Sequence, residues 1–230
     1  MGDEPLYTYK SGNDWVTVTA NEFLADVRAV AKGLIHYGLK KGDAVAFMCR
    51  TSYDWDLTDA AIMACGGVLA TIYDTDSAEQ IRNIVNNSDA RLLIVQDTDM
   101  RKKADGAVEE CPSLEHIITI ETGGLDEIKA YGTTVSDEEL DERIDSVKKT
   151  DLCSIVYTSG STAAPKGVEM THEHYCQTAL NLRPTCPICC TTRGTPSCCS
   201  CRRPIPSPAP STTSSSPRTS ASTSPPASRR

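Results

Sequence analysis

The sequence predicts an α/β fold of layered sheets flanked by helices. Three observations carry this. Short apolar runs such as Ala44 to Met48 and Leu92 to Val95 have the length and content of buried strands. Segments of helical spacing lie between them, and two of these open on a capping box, Thr19-x-x-Glu22 and Ser77-x-x-Gln80. Glycines and acidic turn residues mark the joins, in the alternation expected of strand–helix layers.

Trp15 to Thr19 alternates and predicts a short strand. Behind the Thr19 cap, Phe23, Val27, Val30, Ala31, Leu34 and Ile35 share one helical face until Gly38 stops the helix. Gly42-Asp43 turns into the strand Ala44 to Met48. Asp54 to Cys65 reads as a helix, and Gly66-Gly67 leads into a strand from Val68 to Tyr73. The Ser77 box opens a helix to about Asn87, followed by the strand Leu92 to Val95. A helix from Asp99 to Glu110, a strand from His116 to Ile120 and a short acidic helix from Glu138 to Ile144 come next. The strand Ser154 to Tyr157 and a helix from His172 to Leu182, capped by Thr171, complete the order, and no internal repeat is visible.

Composition breaks sharply at Leu182. Residues 1–182 hold 16 Lys+Arg and all 31 Asp+Glu, whereas 183–230 hold seven arginines and no acid. The latter segment also contains ten of the 13 prolines and six of the 11 cysteines, with no aromatic residue. Such a stretch buries too little apolar surface to offset its ordering entropy, so 183–230 is expected to be a disordered tail. Met1-Gly2-Asp3-Glu4-Pro5 lacks the basic-then-apolar pattern of a secretory leader, and no apolar run approaches a membrane span. The acidic body argues against nucleic acid as a partner, and its scattered cysteines suit a reducing, cytoplasmic setting.

The residues that carry chemistry follow the strand ending at Tyr157. In Thr158-Ser159-Gly160-Ser161-Thr162-Ala163-Ala164-Pro165-Lys166-Gly167, four hydroxyls, two glycines and one lysine fill a short loop. Hydroxyls and unpaired backbone N–H groups aim at one anion and the lysine adds a mobile charge, which suits a polyphosphate. It is not a Walker A loop, because the order is Lys-Gly with a proline in front. The competing interpretation is a plain Ser/Thr-rich surface turn. His172 and His174 stand two apart on a helix, poor geometry for a shared metal, and are expected at the helix entry. Asp97/Asp99 and Glu138/Glu139 read as caps or solvated faces rather than acid–base dyads.

The loop resembles the signature of the adenylate-forming ligases, Thr-Ser-Gly-Ser/Thr-Thr-Gly-x-Pro-Lys-Gly-Val, departing at Ala163, where glycine is usual. If that position needs φ > 0, alanine is strained by roughly 1 kcal/mol. Gly38 to Ala46, Ile72 to Gln80 and Val168-Glu169-Met170-Thr171-His172 also resemble family segments, the second of them that of long-chain fatty-acyl-CoA ligases. The resemblance spans about residues 6–182 and implies the N-terminal part of a large adenylation domain, with its sheets incomplete. It implies a carboxylic acid, plausibly a long-chain fatty acid, activated by ATP to an acyl-adenylate and passed to coenzyme A. Thr158, Ser159, Gly160, Ser161, Thr162, Lys166 and Gly167 would form the phosphate-binding loop. Lys166 would be its catalytic cation, and Thr162 a contact for Mg2+. The coenzyme A site and the ribose and acyl pockets belong to family segments beyond this chain. Peripheral membrane association of the full-length enzyme is compatible with such substrates.

The tail admits three readings. Cys186-x-x-Cys189-Cys190 and Cys198-Cys199-x-Cys201 have the look of a zinc site, with no apolar residues to pack around it. They allow a disulfide as well. Alternatively the tail is out of frame, since a shifted reading with synonymous codons restores apolar runs that resemble the family's downstream segment. The expectation is then a truncated and inactive front piece. A ligase for an aryl or amino acid, or a non-catalytic remnant, are the alternatives.

Overall fold

The computed structural model describes residues 2–158 and 166–185. A hairpin of β1 (Pro5–Ser11) and β2 (Asp14–Thr19) precedes α1 (Ala20–His36), β3 (Ala44–Met48), α2 (Tyr53–Ala64) and β4 (Val68–Ile72). The chain continues through α3 (Ala78–Ser88), β5 (Leu92–Val95), α4 (Thr98–Asp105), a 3-10 turn (Val108–Glu110), β6 (His116–Thr119) and α5 (Gly124–Gly132). It ends with α6 (Asp137–Ser146), β7 (Leu152–Thr158), β8 (Lys166–Thr171) and α7 (His172–Thr185).

Among the described residues β3 to β8 form one sheet in the order β6-β5-β3-β4-β7-β8, parallel except for β8, which runs antiparallel to β7. Both faces are covered, as a parallel sheet requires. Val45 and Phe47 pack with α1, α2, α5 and α6, while Ala44, Ala46 and Met48 of the same strand pack with α3 and α4. That double burial is why β3 reads as an unbroken apolar run. The hairpin lies against α1 and α2, where Tyr9 stacks on Tyr53 at 4.6 Å and Tyr7 meets Phe23 at 5.0 Å.

Both predicted capping boxes form. Thr19 Oγ1 accepts from Glu22 N at 3.2 Å, and Glu22 Oε2 accepts from Thr19 N at 2.8 Å. Ser77 and Gln80 repeat the exchange. Thr19→Ala is expected to cost about 1 kcal/mol, seen as a lower urea midpoint at unchanged slope.

Three elements were not anticipated. β1 is mostly exposed, so its pattern is weak. α5 starts at Gly123 with φ 90° and no side-chain cap, and so lacks a start signal. β8 has no strand signal of its own, and its ladder comes from pairing with β7. The helix expected from Asp99 to Glu110 is two pieces: it ends at Asp105 with Gly106 as its cap, and the following turn buries Ala107 and Cys111. At the end of the described chain α7 runs to Thr185, three residues past the compositional break. The cysteine clusters and the rest of the tail lie outside the described residues.

Candidate active site

In sheets of this kind ligands bind beyond the carboxyl ends of the strands, where neighbouring strands leave toward opposite faces. β3 leaves into α2 on one face and β4 into α3 on the other. β7 is parallel to β4 and ends at the same edge. Its last residue, Thr158, is the register partner of Lys166, the first of β8. The two therefore stand across from each other at the mouth of the predicted loop, both exposed, and Lys166 makes no ion pair with a described residue. Gly167 pairs with Tyr157. Ser159, Gly160, Ser161, Thr162 and Ala163 lie outside the described residues.

The hairpin is anchored below this mouth. Tyr157 is buried and its hydroxyl donates to Asn87 Oδ1 of α3 at 2.7 Å. Burial raises its pKa. A Cβ on Gly167 would lie 2.8 Å from Ile155 Cγ2 and 3.2 Å from Tyr157 Cε1, so close packing excludes a side chain there. At the far end, His174 N donates to Thr171 Oγ1 at 3.4 Å and Thr171 N to His174 Nδ1 at 3.1 Å. His174 thus completes the cap of α7, the helix-entry role expected of it. His172 N donates to Asp151 O at 3.2 Å, and burial lowers its pKa. Among the described residues no cluster of three His, Cys, Asp or Glu is placed to hold a metal.

Between α2 and β7 the interior is polar. Thr58 Oγ1, Asp59 Oδ1 and Ser154 Oγ are buried without a hydrogen-bond partner among the described residues. Burial, with Asp56 adding repulsion, pushes the Asp59 carboxyl up to about 6. Because the folded chain holds this proton more tightly than the unfolded one, stability falls as pH rises from about 4 to 6, and the penalty is complete above that window. Asp59→Asn removes the titration but still buries an amide, so a net gain of about 1 kcal/mol is expected at pH 7.5 and none near pH 3.5. Urea denaturation at the two pH values measures it.

One cluster at the same edge was missed from sequence. Arg50, just beyond β3, reaches Asp97 Oδ2 at 2.7 Å and Asp74 Oδ2 at 3.2 Å, beyond β5 and β4. Asp97 Oδ1 also accepts from Met100 N at 2.8 Å, capping α4 as expected, and that bond together with Arg50 lowers its pKa. One signal was legible: each of the three stands two residues past a strand end. Their convergence comes only with the strand order.

A family model described as AMP-binding enzyme matches residues 1–200. The long-chain-fatty-acid–CoA ligase FadD15 of Mycobacterium bovis is 35% identical over 179 residues, covering 75% of this chain and 29% of that protein. Human long-chain-fatty-acid–CoA ligase ACSBG2 is 27% identical over 185 residues, covering 76% and 28%. The chain thus spans under a third of the length of either of these two relatives. Among solved structures, a long-chain-fatty-acid–CoA ligase (FadD1) of Archaeoglobus fulgidus superposes with TM-score 0.63 at 23% identity, covering 76% of this chain and 34% of that one. A fatty acyl-adenylate ligase of L. pneumophila, in complex with acyl adenylate and pyrophosphate, gives TM-score 0.61 at 20% identity, covering 79% and 30%.

Proposed function

The chain belongs to the AMP-binding enzyme family, and on that premise we propose that it is the phosphate-gripping front segment of an AMP-forming ligase that activates long-chain fatty acids as coenzyme A thioesters. The observation that carries this reading is the β7–β8 hairpin, which sets Thr158 and Lys166 opposite each other at the carboxyl edge of the sheet. The donor set fits a nucleotide triphosphate. The Thr158 hydroxyl and the Lys166 ammonium, which makes no ion pair with a described residue, flank seven residues that include three hydroxyls and one glycine.

Bound ATP with Mg2+ would supply the electrophilic α-phosphorus and a pyrophosphate leaving group. This chain's residues would hold that leaving group. Thr158, Ser159, Ser161 and Thr162 would donate hydrogen bonds to phosphate oxygens, and Lys166 would balance charge that grows as pyrophosphate departs. Thr162 would also face the magnesium ion. The fatty-acid preference is supported by the relatives' names and by the Ile72 to Gln80 segment. Coenzyme A and the acyl chain would be held by family segments that this chain does not contain. No helix among the described residues is long and apolar enough to cross a membrane. We place the enzyme in the cytoplasm, a setting supported by the five unpaired cysteines of the described residues.

The test is ATP–pyrophosphate exchange in a full-length ligase carrying this segment, with palmitate, anthranilate and amino acids offered in parallel. Palmitate-dependent exchange is expected; exchange driven by aryl or amino acids instead would overturn the substrate class. The 230-residue chain alone is expected to form no acyl-CoA.

A further inference from the structure

At the opposite edge of the sheet, about 19 Å from β7 at four strand spacings, β6 borders a cavity of about 760 Å³. That is within the range of small-molecule sites. Four aromatic rings line it: His36 and Tyr37 at the end of α1, His116 at the start of β6 and Tyr131 of α5. Tyrosine rings bring a large apolar area that is usually covered at least in part. Here His36 and His116 are exposed and Tyr131 is 42% exposed.

Their arrangement is specific. His36 lies parallel to Tyr131 with centroids 4.8 Å apart. Tyr37 stands at 89° to His36, 87° to Tyr131 and 70° to His116. The four rings lining the hollow thus lie in two roughly perpendicular orientations, with His36 and Tyr131 stacked on each other and Tyr37 edge-on to its neighbours.

The charges around the hollow favour a cation. Arg91 is neutralised by Asp43 at 2.9 Å and Glu115 at 2.6 Å, and Arg101 by Asp105 at 2.7 Å. Glu127 is exposed, lines the cavity and makes no ion pair among the described residues; the Tyr37 hydroxyl donates to its carboxylate at 3.4 Å. The carboxyl end of the 17-residue α1 opens on the same space through His36, Tyr37 and Gly38, and its partial negative charge acts in the same sense. The amino end of α5 also arrives there at Gly124, its opposite partial charge offset by Asp126 in the first turn.

From these rings, the unpaired carboxylate and the helix end, we propose that this cavity binds a quaternary ammonium group of the choline type. Aromatic faces attract a cation through the ring quadrupole, and a methylated ammonium gives up little hydration on entering. An –NH₃⁺ group would demand three acceptors, and Glu127 is the one lining carboxylate that makes no ion pair among the described residues. A free choline-like metabolite and the headgroup of a phosphatidylcholine bilayer share this chemistry.

The experiment titrates choline chloride into the full chain by calorimetry, with 3,3-dimethylbutan-1-ol as the uncharged isostere and sodium chloride as the salt control. One saturable site in the millimolar range is expected, with the isostere at least about tenfold weaker. Tyr131→Leu and Glu127→Gln, both at exposed positions, should each weaken choline by about fivefold or more at unchanged melting temperature. If Tyr131→Leu fails to fold, Glu127→Gln alone carries the test. No saturation, equal binding of the isostere, or indifference to Glu127→Gln overturns the proposal. Sedimentation with phosphatidylcholine but not phosphatidylglycerol vesicles would assign the ligand to a membrane. Binding of soluble choline without vesicle capture would assign it to a free metabolite.

Discussion

Replacing Lys166 by alanine is expected to cut ATP–pyrophosphate exchange by about 10²- to 10³-fold in a full-length ligase carrying this segment, the size seen when one positioned donor to a developing charge is lost. The side chain is exposed and makes no ion pair with a described residue, so folding stability should move by no more than about 0.5 kcal/mol. That separation gives the prediction its force: a large kinetic loss with an unchanged urea midpoint assigns Lys166 to the chemistry. Lys166→Arg keeps the charge but spreads it over a planar fork, and partial recovery is the expected outcome. Unaltered exchange in Lys166→Ala would remove the hairpin from the reaction and leave the family assignment standing.

Gly33→Ala should destabilise the chain by about 3 kcal/mol, even though alanine is the better helix former by about 1 kcal/mol. Gly33 of α1 faces α5 at backbone contact. A Cβ there would overlap the Ile128 carbonyl oxygen, and a Cβ on Gly132 would fall 2.5 Å from Ala29 O and 3.0 Å from Gly33 N. The obstacle is backbone on both sides, so no rotamer change relieves it. The helices must separate, loosening Leu34, Ile128 and Leu140, each fully buried in the core they share. A fall in melting temperature of about 10 °C is the corresponding thermal signal, followed by circular dichroism. A melting temperature equal to or above that of the parent would refute the close-contact account.

Both sites show where sequence reasoning reaches and where it stops. β3, β5 and the two boxed helices were legible because each is specified by neighbours within a few positions. The phosphate-loop proposal could be drawn from sequence for the same reason: its hydroxyls, glycines and lysine are contiguous. α5 was not, because Gly123, Gly124 and Gly132 lack the cap and the propensity that signal a helix. Gly124 and Gly132 are needed for its tight packing and Gly123 for its positive φ, and packing partners are invisible one residue at a time. The aromatic cavity escaped for a similar reason, since His36, His116 and Tyr131 lie far apart in the chain and meet only when β6 takes the sheet's edge.

By itself, the order of residues determined the alternation of strands and helices and the capped starts of α1 and α3, and it carries the hydroxyls and lysine on which the proposed phosphate loop rests. Period, capping and turn preferences act over a few residues and are written locally. Only the tertiary structure decided the strand order, the pairing of β8 with β7, the Arg50 cluster and the ring-lined hollow. These depend on contacts between distant segments, whose energies appear only after the chain has closed the loops between them.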